Sequence, residues 1–234
     1  MAGTIYPTYE WLQKSGRYRP SIDFVRLRWY LSGPISAKIH VLESASDATS
    51  PQSPYQPSPN SNSFHSISAS PVSDPPVSSI TVTVSLLDDW AESWEDVHIH
   101  CAEPERERVT TLPDGTKQLE RCCGTDRPGP GPSLTVTAGD GDASPGFVTI
   151  HDYIMAVHPW LLAHEADIRL AIGAYPKYAL KAEFEIFLYP KILSPLYLRN
   201  TRDVRGGNKE RWWARLASDV EKWAVDGTAG ASRQ

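Results

Sequence analysis

Residues 147–175, FVTIHDYIMAVHPWLLAHEADIRLAIGAY, form the longest stretch of the sequence with helical apolar spacing. Apolar residues recur from Ile150 to Leu161 at three- and four-residue steps, so they share one face of a helix. Thr149 precedes this run, and Asp152, three residues after Thr149, stands in the place of the usual glutamate of a capping box. The stretch therefore predicts the helical layer around which the rest of the chain is organised.

A proline interrupts this pattern. Pro159 lacks an N–H group and its ring clashes with the preceding turn, so we expect a kink or a break near His158. A second helix is then expected to carry Pro159 in its first turn and to run towards Ala171, with Gly173 as its end. The stretch predicts a kinked helix pair.

Three histidines lie in the same stretch, and two interpretations compete for them. His151, His158 and His164 could supply metal ligands or a general base, because histidine titrates near neutrality. No acidic or second histidine partner stands at a recognised ligand spacing. We therefore expect His151 and His158 to cap and pack helix ends, and His164 to be exposed.

Segments of alternating polarity predict a largely antiparallel sheet. The clearest is 80–87, and the turn signal Pro113-Asp114-Gly115 predicts a hairpin over 109–119. The other strands are expected near 22–31, 36–42, 96–102, 133–138 and 181–188. Asn208 is expected to cap a final helix that buries the stripe Trp212, Leu216, Val220 and Trp223.

These elements predict the fold class and the domain limits. We expect one α+β domain over 1–225, mainly an antiparallel sheet with the kinked central helix pair and the C-terminal helix on one face. Residues 44–79 contain 7 of the 20 prolines and no lysine or arginine, so they are predicted to be a disordered insertion. Residues 226–234 are predicted to be a disordered tail.

The insertion also carries candidate regulatory positions. Proline-directed kinases phosphorylate serines that precede proline, and four serines do so: Ser50, Ser53, Ser58 and Ser70. The prolines of this segment also match the PxxP spacing of polyproline-helix ligands. A regulatory role and a neutral spacer both remain open.

Composition limits the classes of function. The formal net charge of −5 disfavours a general nucleic-acid binder, which needs a basic field. No apolar run suits a signal peptide or a membrane helix, and the three cysteines, two of them adjacent, do not form a disulfide framework. We expect a soluble protein of the cytoplasm or nucleus, neither secreted nor transmembrane.

The segment His98-Ile99-His100 is the sharpest candidate for chemistry. On a strand, residues i and i+2 project to the same side, so both imidazoles could hold one divalent metal ion with Glu103 nearby. The pair is similar to the HxH…E of cupin metal sites, a resemblance limited to these few residues and without the second cupin motif. No cofactor is otherwise predicted, and solvent-facing histidines are the competing interpretation.

Two charged segments are further candidates. Arg202, Arg205 and Lys209 flank a Gly-Gly pair before the final helix and could bind an anion at its N-terminus. The acidic residues 88–96 lack the oxygen spacing of a calcium loop, so a solvated loop is expected there. Nucleotide-binding glycine loops, GxSxG elbows and HExxH motifs do not occur in the sequence.

The order of features resembles that of a group of filamentous-fungal proteins of unknown function. The resemblance is carried by the aromatic-rich start, the Ser/Pro segment, TVTVSLLDD, TTLPDGT and FVTIHDYIMAVHPWL, and it covers most of the chain. It implies a fungal intracellular protein and brings no activity or site residues. From the residues themselves we expect a protein-interaction or regulatory module with a protein partner. The alternative is a small metal-dependent enzyme that uses His98 and His100.

Overall fold

The computed structural model describes residues 4–16, 18–98, 108–122, 125–139, 145–173, 185–200 and 209–231. For residues 173, 209 and 224–231 it describes the backbone alone. Within these ranges the helices are α1 Tyr9–Ser15, α2 Ile22–Val25, α3 Ile35–Lys38, α4 Ser85–Asp88, α5 Trp90–His98, α6 Ile150–Ala163, α7 Glu165–Gly173 and α8 Lys209–Ala231. A 3₁₀ turn spans Ser66–Ala69.

Twelve strands lie in the same ranges: β1 Arg19–Pro20, β2 Leu27–Tyr30, β3 Ile39–Leu42, β4 Gln52–Pro54, β5 Ser73–Asp74, β6 Ser79–Val82, β7 Arg108–Thr111, β8 Lys117–Cys122, β9 Thr125–Asp126, β10 Leu134–Thr137, β11 Ile186–Leu188 and β12 Leu198–Asn200. Five of them form an antiparallel sheet in the order β12-β11-β2-β3-β4. Smaller antiparallel sheets pair β6 with β10, β1 with β5, and β7, β8 and β9 in sequence. The α+β class predicted from the sequence is confirmed.

One face of the five-stranded sheet builds the main core. Successive strand residues point to opposite faces, so Leu27 and Trp29 of β2 face this core together with Leu188 of β11. Helix α6 covers the face, and the ring of its Tyr153 lies edge-on to Trp29 with the ring centroids 6.4 Å apart. The buried residues of α6 are Ile150, Tyr153, Ile154, Val157, His158 and Leu161, which is the stripe predicted from its spacing.

The other face of the sheet is covered by α8. Phe187 and Tyr189 point to this side and pack with Trp213 of the helix. The guanidinium of Arg28 lies 4.1 Å from the centre of the Trp213 ring. Burial lowers the pKa of Arg28 to about 10, because the charged form loses solvation. The expectation that α8 and the central helices share one face is therefore wrong: they lie on opposite faces.

The central helix continues through its proline. Thr149 and Asp152 form the predicted capping box, with the Thr149 hydroxyl accepting from the Asp152 N–H at 3.1 Å. The break comes at His164, between α6 and α7, and not near His158 as the sequence suggested. Pro159 lies on the exposed side with Met155. A carbonyl that loses its partner on that side can bond to water, so the proline is tolerated.

The Ser/Pro-rich segment is part of the fold, which corrects the prediction of disorder for 44–79. Residues 44–79 contribute β4, the 3₁₀ turn and β5, and they bury Tyr55, Ile67, Val72 and Val77 in the main core. The Val72 N–H donates to the Val148 carbonyl at 3.1 Å, which ties the segment to the entry of α6. A few widely spaced apolar residues are enough to anchor it. Residues 226–231, predicted to belong to the disordered tail, are part of α8, and 232–234 lie outside the described residues.

Several predicted strands are partly helical. The hairpin over 109–119 and the strand at 133–138 are confirmed, and 181–188 is a strand at Ile186–Leu188, with 181–184 outside the described residues. In contrast, Ser21 accepts from the Phe24 N–H at 3.1 Å and starts the helical turn α2 inside the strand expected at 22–31. Similar short helices occupy parts of 36–42 and 80–87, and 96–98 belongs to α5. At α2 the local cap outweighed the alternation of side chains, whereas α3 and α4 form without a side-chain cap.

No helix in the described part of the chain combines the length and the apolar character needed to cross a membrane.

Candidate binding groove

A groove of about 360 Å³ lies where three elements meet. Its floor is the junction of α4 and α5, one wall is the loop 128–132, and the other wall is the start of α7. The residues that line it are Leu87, Trp90, Pro128, Gly129, Pro130, Gly131, Pro132, His164 and Asp167. We call this cavity the groove.

The floor is fixed to the main core. After the extended residue Val84 the chain turns into the single helical turn α4, in which the Leu87 N–H donates to the Val84 carbonyl at 2.9 Å. Leu87 is buried in the core, and Trp90 is half-buried and packs against it. The groove thus presents an aromatic surface that is held from below by packed apolar side chains.

The loop wall is built from alternating proline and glycine. Proline fixes its own φ angle and has no N–H to satisfy, so such a loop needs few hydrogen bonds of its own. Gly131 lies against α4: a Cβ there would be 3.1 Å from the Asp88 nitrogen and 3.2 Å from its Cα. A Cβ at Gly129 would meet nothing within 4 Å. The loop can approach α4 this closely because residue 131 has no side chain.

The loop is also anchored at its entry. Arg127 precedes it, and its Nε lies 3.1 Å from a carboxylate oxygen of Glu95 on α5. The Arg127 N–H donates to the Glu120 carbonyl at 2.7 Å, which joins the loop to β8. The loop wall is therefore held to both the floor and the neighbouring hairpin.

The helical wall carries an acid and an imidazole. His164 ends α6 and Asp167 lies in the first turn of α7, with 3.9 Å between His164 Nδ1 and an Asp167 carboxylate oxygen. The Trp160 ring meets His164 edge-on at 5.5 Å, and the buried Ile168 anchors α7 in the core. The Asp167 side chain keeps 55% of its accessible surface, so its charge faces solvent at the groove.

The described lining residues offer surfaces for binding a ligand. The floor and the loop wall offer apolar contact surface, and the helical wall adds one carboxylate with one imidazole. The groove can therefore hold an apolar side chain or a short stretch of extended chain.

The histidine proposed for a metal site lies in a different setting from the one expected. His98 is in the last turn of α5, so the argument from a strand does not hold at this residue. Its ring stacks on Trp94 with centroids 4.4 Å apart, and its Nδ1 lies 2.7 Å from the Trp94 carbonyl. The Sγ of the buried Cys122 is 4.0 Å from the His98 carbonyl oxygen. His100 and Glu103 lie outside the described residues.

Among the residues that the structure describes, no group of three or more His, Cys, Asp or Glu side chains is arranged to hold a metal ion. Most of the predicted anion site is outside the described residues, since these do not include Arg202 and Arg205. Lys209 is the first residue of α8, and only its backbone is described.

The structure separates the four serines that precede proline. Ser53, on the edge strand β4, and Ser58, in a turn, are exposed. Ser50 is half-buried, and its hydroxyl accepts from the Ser44 N–H at 3.1 Å. Ser70 is half-buried and its hydroxyl donates to Asp23 at 2.6 Å, beside a carboxylate that would repel a phosphate.

A second, smaller cavity adjoins this segment. Its volume is about 230 Å³, and its polar lining includes Arg26, Glu43, Ser53 and His65. Arg26 is already engaged, since its Nη1 lies 2.7 Å from Asp23 and its Nε donates to the Leu42 carbonyl at 2.7 Å. Because the charge of Arg26 is offset in this way and the cavity is smaller than the groove, we consider the groove the stronger candidate for a binding site.

The three central histidines have structural roles that the sequence predicted in part. His158 is buried in the middle of α6, not at a helix end, and burial lowers its pKa despite a hydrogen bond to the Gly33 carbonyl. His151 Nδ1 lies 3.2 Å from the hydroxyl of Tyr55. His164 is only partly exposed and lines the groove. The groove itself was missed, because its floor, loop and helix are far apart in the sequence.

The chain matches no protein-family model, no curated protein and no solved structure, so its function has to be argued from its own geometry.

Proposed function

We propose that this protein is an interaction module that docks an extended segment of a partner protein in the groove. The observation that carries the proposal is the juxtaposition of Trp90 with the Pro-Gly loop and the first turn of α7 around one open cavity. We also propose that it acts in the cytoplasm or nucleus. The fungal resemblance stays a prediction.

Aromatic and proline surfaces favour peptide docking for a physical reason. Trp90 and the prolines at 128, 130 and 132 offer rigid apolar surface, so little side-chain entropy is lost when a ligand covers them. Partner segments are commonly anchored by one aromatic or aliphatic side chain in such a pocket. The half-buried Trp90 would supply the main contact surface.

Selection from a displayed random peptide library, with the full chain immobilised, tests the proposal. We expect a recurrent peptide family whose binding is lost by about tenfold or more in Trp90→Ala. Trp11→Ala is the matched control, because Trp11 lies on α1 away from the groove and is 64% exposed. Thermal unfolding of both variants checks that they remain folded.

Two results would overturn the interaction proposal. One is that no recurrent family is recovered from libraries of sufficient diversity. The other is that recovered peptides bind Trp90→Ala as tightly as the unchanged protein, or are lost equally with Trp11→Ala. Hydrogen exchange on the complex, with protection expected in α4, α5 and the loop 128–132, locates the binding surface independently.

A metal-dependent enzyme that uses His98 and His100 is the second candidate, favoured by one observation. The Trp94 carbonyl can only accept, so His98 Nδ1 must donate to it across 2.7 Å. Metal-binding histidines usually donate one ring N–H to such a group and bind with the other nitrogen. His98 Nε2 lies 3.4 Å from the hydroxyl of Thr125. Thr125 is close in the sequence to Cys122.

Elemental analysis of the purified full chain decides this second candidate. About one zinc, iron or manganese per chain, lost in His98→Ala but kept in His40→Ala, would support it. His40 is the matched control because it is a half-buried histidine that lies on β3 of the five-stranded sheet, whereas His98 lies on α5. A metal-free protein, or metal retained by His98→Ala, would remove the enzyme candidate.

A further inference from the structure

We infer that the segment that binds in the groove is basic, with a lysine or arginine beside its apolar anchor. The inference rests on the proposed docking function and adds the chemical class of the partner. It is carried by the acidic residues of the helices that form the floor and one wall of the groove.

The elements that form the groove carry far more acids than bases. Within 85–98, 127–133 and 164–170 the arginines and lysines are Arg127 and Arg169, and the histidines are His98 and His164. The acidic residues are Asp88, Asp89, Glu92, Glu95, Asp96, Glu165 and Asp167. Both arginines are already in ion pairs: Arg127 with Glu95 at 3.1 Å and Arg169 with Glu165 at 2.7 Å. The remaining carboxylates give the groove a negative potential.

One of these carboxylates lines the groove, and a second lies beside it. Asp167 lines the groove on α7. Asp88 ends α4, and its carboxylate reaches the Cα side of Gly131, where a Cβ would collide with it. Trp90 lies on the floor between these elements. A cationic side chain in the groove would meet the Asp167 carboxylate, with the Asp88 carboxylate beside the loop wall and an indole below that also attracts cations.

The charge of the whole chain supports the same class of partner. With a formal net charge of −5, long-range attraction brings basic segments towards the molecule and disfavours acidic ones. The groove is where this field coincides with an apolar anchor point. A neutral apolar segment would gain the contact with Trp90 but nothing from Asp88 and Asp167.

The peptides recovered by library selection are the probe for this inference. We expect them to be enriched in lysine and arginine over the unselected library. Their affinity is expected to fall by about tenfold between about 0.1 M and about 1 M salt, over which the Debye length shrinks from about 10 Å to about 3 Å. Asp167→Asn should weaken binding by about threefold to tenfold, and Asp88→Asn by less, because Asp88 lies beside the lining.

Glu221→Gln is the matched control, since this exposed carboxylate lies on α8, on the far face of the five-stranded sheet. It should leave the affinity unchanged. Recovered peptides that need Trp90 but are neutral or acidic, and insensitive to salt and to Asp167→Asn, would overturn the inference while the docking function stands. If no peptide depends on Trp90, the docking function itself fails. A preference for RNA over every peptide would also overturn the inference of a basic partner segment.

Discussion

The indole Nε1 of Trp29 donates a 3.0 Å hydrogen bond to Nδ1 of His158, which joins the middle strand of the five-stranded sheet to the middle of α6. The other ring nitrogen of His158 donates to the Gly33 carbonyl at 2.8 Å. With one nitrogen accepting and the other donating, the imidazole must be neutral. In a protonated His158, Nδ1 would also carry a hydrogen, which would point at the N–H of Trp29. Both groups are donors, so the hydrogen bond between them would be lost.

Stability is therefore expected to fall as the pH falls. Burial lowers the pKa of His158 in the folded protein, whereas in the unfolded chain it is near 6.5. Below about pH 6.5 the unfolded chain binds the proton first, so its free energy drops relative to the folded state. The loss reaches up to about 1.4 kcal/mol per pH unit until the folded-state pKa is passed.

Denaturant unfolding from pH 7.5 to pH 5 measures this effect, with His158→Gln as the comparison. Glutamine can accept from Trp29 and donate to Gly33 but does not titrate. Burial also lowers the pKa of His40 and His65, so both proteins should lose stability on acidification, the unchanged one more steeply. Equal slopes in the two proteins would contradict the assignment of His158.

Gly131→Ala is expected to disturb both the groove and the stability of the fold. Its Cβ would lie 3.1 Å from the Asp88 nitrogen and 3.2 Å from the Asp88 Cα, and backbone cannot move aside as a flexible side chain can. We expect the free energy of unfolding to fall by about 1–3 kcal/mol and the affinity for groove-binding peptides to weaken. Chemical denaturation and peptide titration measure the two effects.

Gly129→Ala serves as the control for this change. A Cβ at Gly129 meets no atom within 4 Å, so its effect on stability should stay within about 0.5 kcal/mol. Peptide affinity should also be retained. If the two alanine variants behave alike, the close approach of the loop to α4 is not what shapes the groove.

The sequence predicted those elements whose signals were local and regular. The capping box at Thr149, the buried face from Ile150 to Leu161 and the Asp114-Gly115 turn of the hairpin all appear in the structure. Each of these depends on residues within a few positions of one another. Pattern and capping therefore predict them without any knowledge of the tertiary contacts.

Other elements depended on contacts between distant residues. Tyr55 is fully buried because it lies on the main core, yet its neighbours in sequence are serines and prolines. The groove brings Leu87, Gly131 and Asp167 together from three separate segments. The composition of a sequence window gives only the average character of a segment. It does not predict that one residue of the segment is buried in the core, or that three separate segments meet.

Two neighbouring tryptophans of α8 test how that helix is oriented. The sequence pattern placed Trp212 in the buried stripe. In the structure Trp213 is 5% exposed and packs on Phe187. Trp212 is half-buried and lies beside Arg199. Trp213→Ala should lower the free energy of unfolding by about 3–5 kcal/mol, and Trp212→Ala by clearly less. Urea denaturation of the two variants measures this. The reverse order would mean that α8 is rotated to the face predicted from the sequence.

Phosphorylation of the folded protein should reach only some of the serines that precede proline. Ser58 is exposed and begins a turn in which its carbonyl accepts from the Ser61 N–H at 3.0 Å, so a kinase can bind it without breaking a sheet. Ser53 is exposed but paired with Val41 at the edge of the five-stranded sheet, and should react more slowly. Ser50 and Ser70 should react only after unfolding, since their hydroxyls are hydrogen-bonded and half-buried.

Treatment with a proline-directed kinase, followed by mass spectrometry of the phosphorylated peptides over time, measures this order. The same reaction on four short synthetic peptides, each with one of these serines, provides the control, because there the serines differ only in their flanking sequence. We expect the preference for Ser58 over Ser70 to be large in the folded protein and to shrink in the peptides. Early modification of Ser70 in the folded protein would mean that its hydrogen bond to Asp23 opens readily, and that the segment is less firmly packed than the burial of Tyr55 and Val72 implies.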